Sequence, residues 1–503
     1  MTVKIGISGL RGTVARGEES LTARTVVEWV QAFVAQLRAE VRARPFIALG
    51  HDARRSSPAL AALAKGALVM AGADVLELGL TLTPTVQLAV RRNAHLSGGL
   101  MITASHNPVL WNGLKFLDAQ GLFLPLSWWQ AMRATIEEDN LPAVPLDAMG
   151  HVEQGGEAAW QAHQQAVLDA LPVEVIRKQR YRVALDACNG GAVRWVETIR
   201  ALGCEPILLH SEQHGFFARE AEPLPEHLDS LRHLVRHAGC DLGLAADPDG
   251  DRLVLVDAQG EAVNEEHTVV LAAMARARNE GERVAVNVVT THALEETLPH
   301  AVVVRTAVGE MNVVQGAIES GAVLGGEGSG GIIVPSVNLA RDGLAATGLI
   351  LALMAEQAAP LHELVARIPS WRAIKTKLVT TEGSPDALRA LFARWVEEAP
   401  EARLVDHTLH IGSADGSFVL ALLDDRTLQM TGNLPGGDTV RATGHEQGLD
   451  RLFEKLHRQR AHISLDLTDG VKLIGEGAWL SLRPSNTEPV VRVMGEIRER
   501  GEL

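Results

Sequence analysis

The stretch FIALGHDARRSSPALAALAKGALVMAGADVLELG, residues 46–79, carries three patterns in a fixed order. A short apolar run, FIALG (46–50), breaks at the polar turn HDARRSS. A helical pattern, PALAALAKGALVMAG (58–72), follows, and a strand-like run, DVLELG (74–79), closes the unit. Strand, turn, helix and strand in that order predict a mainly parallel sheet covered by helices. The rhythm returns in YRVALDACNGG, VRWVETIRALG and CEPILLH (181–210), and again in RVAVNVVTTHALEETLPHAVVVRTAVG (283–309). Three such units predict a repeated α/β domain, although no clean sequence repeat underlies it. A helical connector, GGEAAWQAHQQAVLDAL (155–171), separates the first two units. Beyond about residue 370 the order changes: a helix in ALRALFARWVEEA (387–399), strand-like SFVLALLD and TLQMTG, the turn NLPGGD (433–438), and a helix in GLDRLFEKLHRQ (448–459). AWLSLRPSNTEPVVRVMGEI (478–497) follows, and the region reads as a differently built α+β domain.

At 503 residues the chain exceeds what one hydrophobic core supports, so several domains are expected. Lys and Arg number 47 against 62 Asp and Glu, a net charge of −15. Without a basic cluster, that balance argues against nucleic acid or an anionic membrane as the partner. A small anionic ligand stays open, because local arginines and backbone N–H groups decide it. Cys188, Cys204 and Cys240 form no CxxC pair and no metal spacing, which suits reduced thiols in the cytoplasm. The start, MTVKIGISGLRG, lacks the apolar core of a secretory signal, and apolar windows such as GLAATGLILALMAEQAA (343–359) read as buried helices. The expected location is cytoplasmic.

Four loops carry chemistry. In ADPDGDRLVLVD (246–257), Asp247, Asp249 and Asp251 alternate with Pro248 and Gly250 between two apolar runs. Carboxylates this close repel, and a hard divalent cation with oxygen ligands resolves the repulsion. An EF-hand loop is excluded, since its sixth position is Arg252 and its twelfth Ala258. Three aspartates leave coordination open for a phosphate oxygen, the usual habit of Mg²⁺ in phosphoryl transfer. In LRPSNTEPVVR (482–492), Arg483, Ser485, Asn486 and Thr487 suit a phosphate dianion, with a capped surface turn as the alternative. In GGEGSGGIIVP (325–335), glycines around Glu327 and Ser329 allow close backbone approach, and the two polar groups suit sugar hydroxyls. A plain flexible turn is the alternative there; an esterase elbow is not, because Glu327 stands where glycine is needed. In MITASHNP (101–108), Ser105 and His106 are neighbours, and adjacent side chains of an extended loop point apart, which disfavours a hydrolase pair. Asn107-Pro108 discourages a helix cap. What remains is a serine at a strand tip that, once phosphorylated, would supply an oxygen ligand to the cation of the three aspartates.

These motifs together resemble the α-D-phosphohexomutases, the superfamily of phosphomannomutase, phosphoglucomutase and phosphoglucosamine mutase. GISGLRG (6–12), TASHNP (103–108), DPDGDR (247–252), GEGSGG (326–331) and RPSNTEP (483–489) stand in the family's order, and DARRSS (52–57), NGLKF (112–116), DACNGG (186–191) and DGVKL (469–473) also look familiar. The resemblance implies three similar α/β domains with mixed sheets and a smaller α+β C-terminal domain around a central cleft. The expected domains are 1–152 with the phosphoserine loop, 153–258 with the metal loop, 259–370 with the sugar loop, and 371–503 with the phosphate loop. The last is longer than the family usually needs, with a β-rich insertion expected near 400–445.

The resemblance also implies the chemistry. Phosphoserine 105 passes its phosphoryl to a hexose 1- or 6-phosphate, and the other phosphate of the hexose 1,6-bisphosphate returns to Ser105. Mg²⁺ is held by Asp247, Asp249, Asp251 and the phosphoserine, and Arg252 assists. Arg11 and Lys115 match the family's acid/base positions, His106 supports the phosphate, and Thr306 and Gly309 in TAVGE match a loop that approaches the sugar. Glu327 and Ser329 grip hydroxyls, while Arg483, Ser485, Asn486 and Thr487 hold the idle phosphate. The partner is a small phosphosugar, with room for a homodimer. Gly331 stands where many members carry histidine, and GEGSGG with RDG (341–343) is similar to archaeal-type phosphoglucosamine and phosphomannose mutases. Mannose, glucose or glucosamine phosphate is the expected substrate. The competing readings are a Mg²⁺-dependent sugar-phosphate phosphatase and a non-catalytic sugar-phosphate-binding protein.

Overall fold

A computed structural model describes residues 4–6, 9–14, 20–40, 44–382, 384–397, 399–413, 416–424, 426–433, 439–460, 462–485 and 489–499. The chain forms two compact bodies, one of residues 1–286, 298–304 and 309–367, the other of 287–297, 305–308 and 368–503.

One strand order is used three times. The first sheet runs Lys4–Gly6, Gly9–Thr13, Trp111–Leu117, Gly98–Ile102, Phe46–His51, Asp74–Leu80, Val152–Gln154. Within it, Phe46–His51 lies parallel to both of its neighbours, and Gly98–Ile102 is antiparallel to Trp111–Leu117. The second sheet, Leu253–Asp257, Leu242–Ala246, Arg182–Asp186, Glu205–Leu209, repeats those directions strand for strand. The third, Gly331–Ile333, Leu324–Glu327, Arg283–Asn287, Val302–Thr306, keeps the order, again with an antiparallel final hairpin. The strand-helix-strand rhythm of 46–79 therefore recurs as topology where no sequence repeat is visible. Each sheet is mixed because its last strand returns antiparallel. The turns 103–110, 247–252 and 328–330 make that return, one in each copy.

The apolar runs become central strands: Gly98–Ile102, Leu242–Ala246 and Leu253–Asp257 are buried at every position, as strands covered on both faces must be. The apolar window at 343–359 forms the helix Gly343–Gln357, buried from Gly343 to Ala355, with the Asp342 carboxylate capping Leu344 N and Ala345 N. Among the described residues no helix is long and apolar enough to cross a membrane.

The second body is built on ten strands. Five consecutive strands from Glu401–Val405 to Thr439–His445 form a meander, continued by Trp371–Glu382, Val490–Arg498, Ala478–Pro484, Val471–Gly475 and Ser464–Asp466. Helices Pro385–Glu397 and Leu449–Arg458 bury Leu388, Phe392, Trp395, Leu452 and Phe453 in the same core as Leu409, Phe418 and Leu480. The segment near 400–445 thus extends one sheet and shares its core.

Candidate active site

The serine turn is fixed by a buried arginine. Arg54, wholly inaccessible, donates from Nη2 to Ser105 O at 2.6 Å and Asn107 O at 2.7 Å, and from Nη1 to Pro108 O at 2.7 Å and Trp111 O at 3.0 Å. Its Nε donates to Asp52 Oδ2 at 3.0 Å, and Thr103 Oγ1 donates to the same oxygen at 2.6 Å. Thus held, Ser105 takes the left-handed conformation, φ 50°, which a serine rarely adopts unless its surroundings impose it. The turn is therefore not extended, and the expectation that Ser105 and His106 point apart fails: Ser105 Oγ lies 3.3 Å from His106 Nδ1. Burial, with the positive charges of Arg252 and Arg11, pushes the His106 pKa far below its usual value and keeps the ring neutral.

Ser105 Oγ also donates to Asp247 Oδ2 at 2.9 Å, so the first and second copies meet at this serine. Asp247, Asp249 and Asp251 are buried, and one potential ligand atom from each lies within 4.8 Å of the others. Both oxygens of Asp247, and one each of Asp249 and Asp251, are committed to protein. Asp247 Oδ1 accepts from Asp251 N and Arg252 N, both at 3.1 Å. Asp249 Oδ2 accepts from Thr83 Oγ1 at 2.6 Å and Lys115 Nζ at 2.7 Å. Asp251 Oδ2 accepts from Arg341 Nη2 at 2.6 Å and Lys115 Nζ at 3.5 Å. The other oxygens of Asp249 and Asp251 are buried with no hydrogen-bond partner.

Such orphaned acceptors are costly unless a cation uses them, and the donor set of clustered carboxylate oxygens fits a hard divalent ion. The electrostatics agree. Burial, then repulsion from Asp251 and Asp249, lifts Asp247 well above the carboxylate range. Burial would raise Asp251 too, but Arg341, Lys115 and Arg252 outweigh it and the net shift is downward. Three neighbouring aspartates, equal in sequence, are thus shifted in different directions.

Around them, Arg11 donates to Asn107 Oδ1 at 2.8 Å; burial lowers its pKa to about 10, against the pull of Asp249. Arg252 Nη1 donates to Glu222 Oε1 at 2.8 Å. Glu327 ends the strand Leu324–Glu327 and accepts from Arg341 Nη1 at 3.0 Å, while half-buried Ser329 sits in the adjoining turn. Gly309, φ 125°, precedes the helix Glu310–Ser320.

The second body holds the other expected residues. Arg483 Nε lies 3.5 Å from Asp469 Oδ2, which also accepts from Val308 N at 3.0 Å, and Thr306 Oγ1 donates to Ala307 O at 3.0 Å. Buried Ser485 donates its N–H to Val490 O at 2.9 Å. Asn486 and Thr487 lie outside the described residues. Lys472, from DGVKL, is buried against the Trp479 ring, 2.9 Å from His292 Nε2, and burial, then Arg305, lowers its pKa to about 7. Sequence reasoning assigned no role to Arg54, Thr83, Glu310 or Arg341. DARRSS, RDG and TAVGE contain Arg54, Arg341 and Glu310, but within those motifs none of the three was singled out.

Profiles of the phosphoglucomutase/phosphomannomutase family match the chain in order: α/β/α domain I at residues 2–142, domain II at 161–260, domain III at 264–370, and the C-terminal domain at 454–503. The chain is 28% identical over 498 residues to a phosphoglucomutase/phosphomannomutase of Thermococcus kodakarensis, covering 98% of this chain and 94% of the relative. It is 30% identical to a probable phosphoglucosamine mutase of Methanopyrus kandleri, covering 98% and 93%. In fold it is similar to a phosphoglucomutase/phosphomannomutase family protein of Burkholderia thailandensis, with TM-score 0.73, 20% identity, and 99% and 93% of the two chains covered. The fold and site define a phosphohexomutase, an intramolecular phosphotransferase. The chain belongs to the phosphoglucomutase/phosphomannomutase family.

Proposed function

We propose that this protein interconverts hexose 1-phosphate and hexose 6-phosphate through phosphoserine 105 and a hexose 1,6-bisphosphate, with mannose, glucose or glucosamine phosphate as substrate. The carrying observation is Ser105: a strained serine whose Oγ sits 2.9 Å from an aspartate of a buried three-carboxylate cluster. In each half-reaction the bond from phosphorus to Ser105 Oγ breaks as one forms to the free sugar hydroxyl, whose proton leaves to a base. The second half-reaction reverses this with the other phosphate. Arg11 and Lys115 serve the proton transfers. Arg11 at about 10 is uncharged in only about one molecule in a thousand at pH 7, so it acts mainly by charge.

Asp247, Asp249 and Asp251, with the phosphoserine, would hold Mg²⁺. When bound, the ion neutralises charge developing on the transferring phosphoryl group. Neutral His106 orients the Ser105 oxygen, and Arg252 adds positive charge beside it. Glu327 and Ser329 grip sugar hydroxyls, with Thr306 and Gly309 in the approaching loop. Arg483, Ser485, Asn486 and Thr487 hold the phosphate that is not reacting. The domain division stands at 1–152, 153–258, 259–370 and 371–503, with the meander near 400–445 as an insertion; the C-terminal family profile matches only 454–503.

Purified protein with Mg²⁺, a trace of hexose 1,6-bisphosphate and each hexose 1-phosphate in turn should yield the 6-phosphate. Ser105→Ala should abolish it. Release of inorganic phosphate without isomer, or full activity of Ser105→Ala, overturns the reading.

A further inference from the structure

Arg341 is the side chain on which two of these loops depend, and it exists in its present place because of a glycine. Its three nitrogens address three buried carboxylates: Nη2 donates to Asp251 Oδ2 at 2.6 Å, Nη1 to Glu327 Oε2 at 3.0 Å, and Nε lies 3.0 Å from Glu310 Oε2. Glu310 Oε1 also accepts from the backbone N of Arg341 at 3.2 Å, fixing the root of the side chain. Next to Arg341, Asp342 caps the helix Gly343–Gln357 and meets His163 Nε2 at 2.7 Å. The side chain is therefore tied at its root and at its tip. Gly331, paired with Glu327 across the sugar-loop hairpin, leaves the space it crosses: a Cβ at 331 would overlap Arg341 Cδ and lie 3.1 Å from Cγ.

We infer that Arg341 is a positioning residue with two opposed effects, holding Glu327 in place for the sugar while neutralising part of the Asp251 charge that draws the cation. The planar fork makes this possible, because lysine offers one point charge and cannot reach three carboxylates at once. A positive charge 2.6 Å from one proposed ligand must weaken the attraction for a second cation. Arg341 thus gives up cation affinity to gain a rigid sugar contact. Gly331 is the condition for it, since any side chain there pushes the fork off its partners. The inference rests on the mutase reading for the role of Glu327, and on geometry alone for its effect at Asp251.

The test uses full-length protein with three variants, Arg341→Gln, Arg341→Lys and Gly331→Ala. Divalent-ion affinity is read by calorimetry with Mg²⁺ and by Mn²⁺ paramagnetic resonance, without sugar; KM and kcat come from the isomerisation assay. Arg341→Gln deletes the charge, and should bind the ion about tenfold more tightly while KM rises about tenfold. Arg341→Lys and Gly331→Ala keep the charge but displace the contact, and should raise KM with ion affinity within about threefold of the parent. A merely structural arginine would weaken both together. Weaker ion binding in folded Arg341→Gln, or an unchanged KM in it, overturns the inference. Absence of isomerisation in the parent protein would instead overturn the mutase reading, and the ion titrations would still judge the effect at Asp251.

Discussion

The serine turn 103–110 leaves a parallel strand and returns antiparallel, and the aspartate turn 247–252 does the same in the next copy of the fold. Topology makes them equivalent; what holds them does not. The serine turn gathers its carbonyls onto a foreign cation, Arg54, which reaches Ser105, Asn107 and Pro108. The aspartate turn is held through its main chain. The carbonyls of Pro248, Asp249 and Gly250 accept from Gly191 N at 3.1 Å, Thr83 N at 3.0 Å and Gly343 N at 3.1 Å. A latch through side-chain charge can impose a strained φ on the residue it grips, which is what a single exactable nucleophile position requires. A latch through backbone leaves one oxygen each of Asp249 and Asp251 without a hydrogen-bond partner, which is what a cation site requires.

Breaking the first latch should therefore cost stability above all. Arg54→Ala leaves Asp52 buried without its charge partner and several carbonyls without a donor. It should destabilise the protein by about 3–5 kcal/mol, read as a lowered urea midpoint, with activity lost alongside. Unchanged stability would mean that the serine turn holds itself. The second turn should behave in the opposite way. Asp247 is lifted by burial and by its neighbours, a strain that the uncharged asparagine relieves, and its Oδ1 can still accept from Asp251 N and Arg252 N. Asp247→Asn should leave cation-free stability within about 1 kcal/mol, yet abolish the Mg²⁺-induced rise in Tm and lower kcat/KM by about a hundredfold. A large loss of cation-free stability would erase the distinction between the two turns.

The motifs and the strand rhythm were legible because they are local. DPDGDR and TASHNP each keep their chemistry within a few residues, and 46–79 shows its alternation directly. The latches were not, because each lies far off in sequence: Arg54 is 51 residues from Ser105, and Thr83 is 166 from Asp249. No spacing rule links such pairs; the folding of the first copy on itself creates the Arg54 pair, and the packing of the first copy against the second creates the Thr83 pair. The placement of His106 went wrong for a related reason. A period-two argument assumes extended backbone, and a distant arginine had already bent Ser105 out of it. Likewise, identical aspartates give no hint that Asp247 and Asp251 shift in opposite directions, since Arg341 and Lys115 come from elsewhere.

The finest division between the two turns runs through Thr83, which serves the aspartate turn twice. Its backbone N–H holds Asp249 O, and its hydroxyl donates to Asp249 Oδ2 at 2.6 Å. Thr83→Val keeps the shape and the backbone bond and removes only the hydroxyl. If the turn is held by its main chain, the position of the turn survives, and only the aim of one carboxylate suffers. Lys115 still donates to the same oxygen at 2.7 Å, which limits the loss. The expected cost is about 1.5 kcal/mol, the low end for a hydrogen bond to a charged group, and it should show as roughly a tenfold fall in Mg²⁺ affinity. Urea unfolding of the cation-free protein should move less than the ion titration does. Equal shifts in both would mean that the hydroxyl, and not the backbone, fixes the turn.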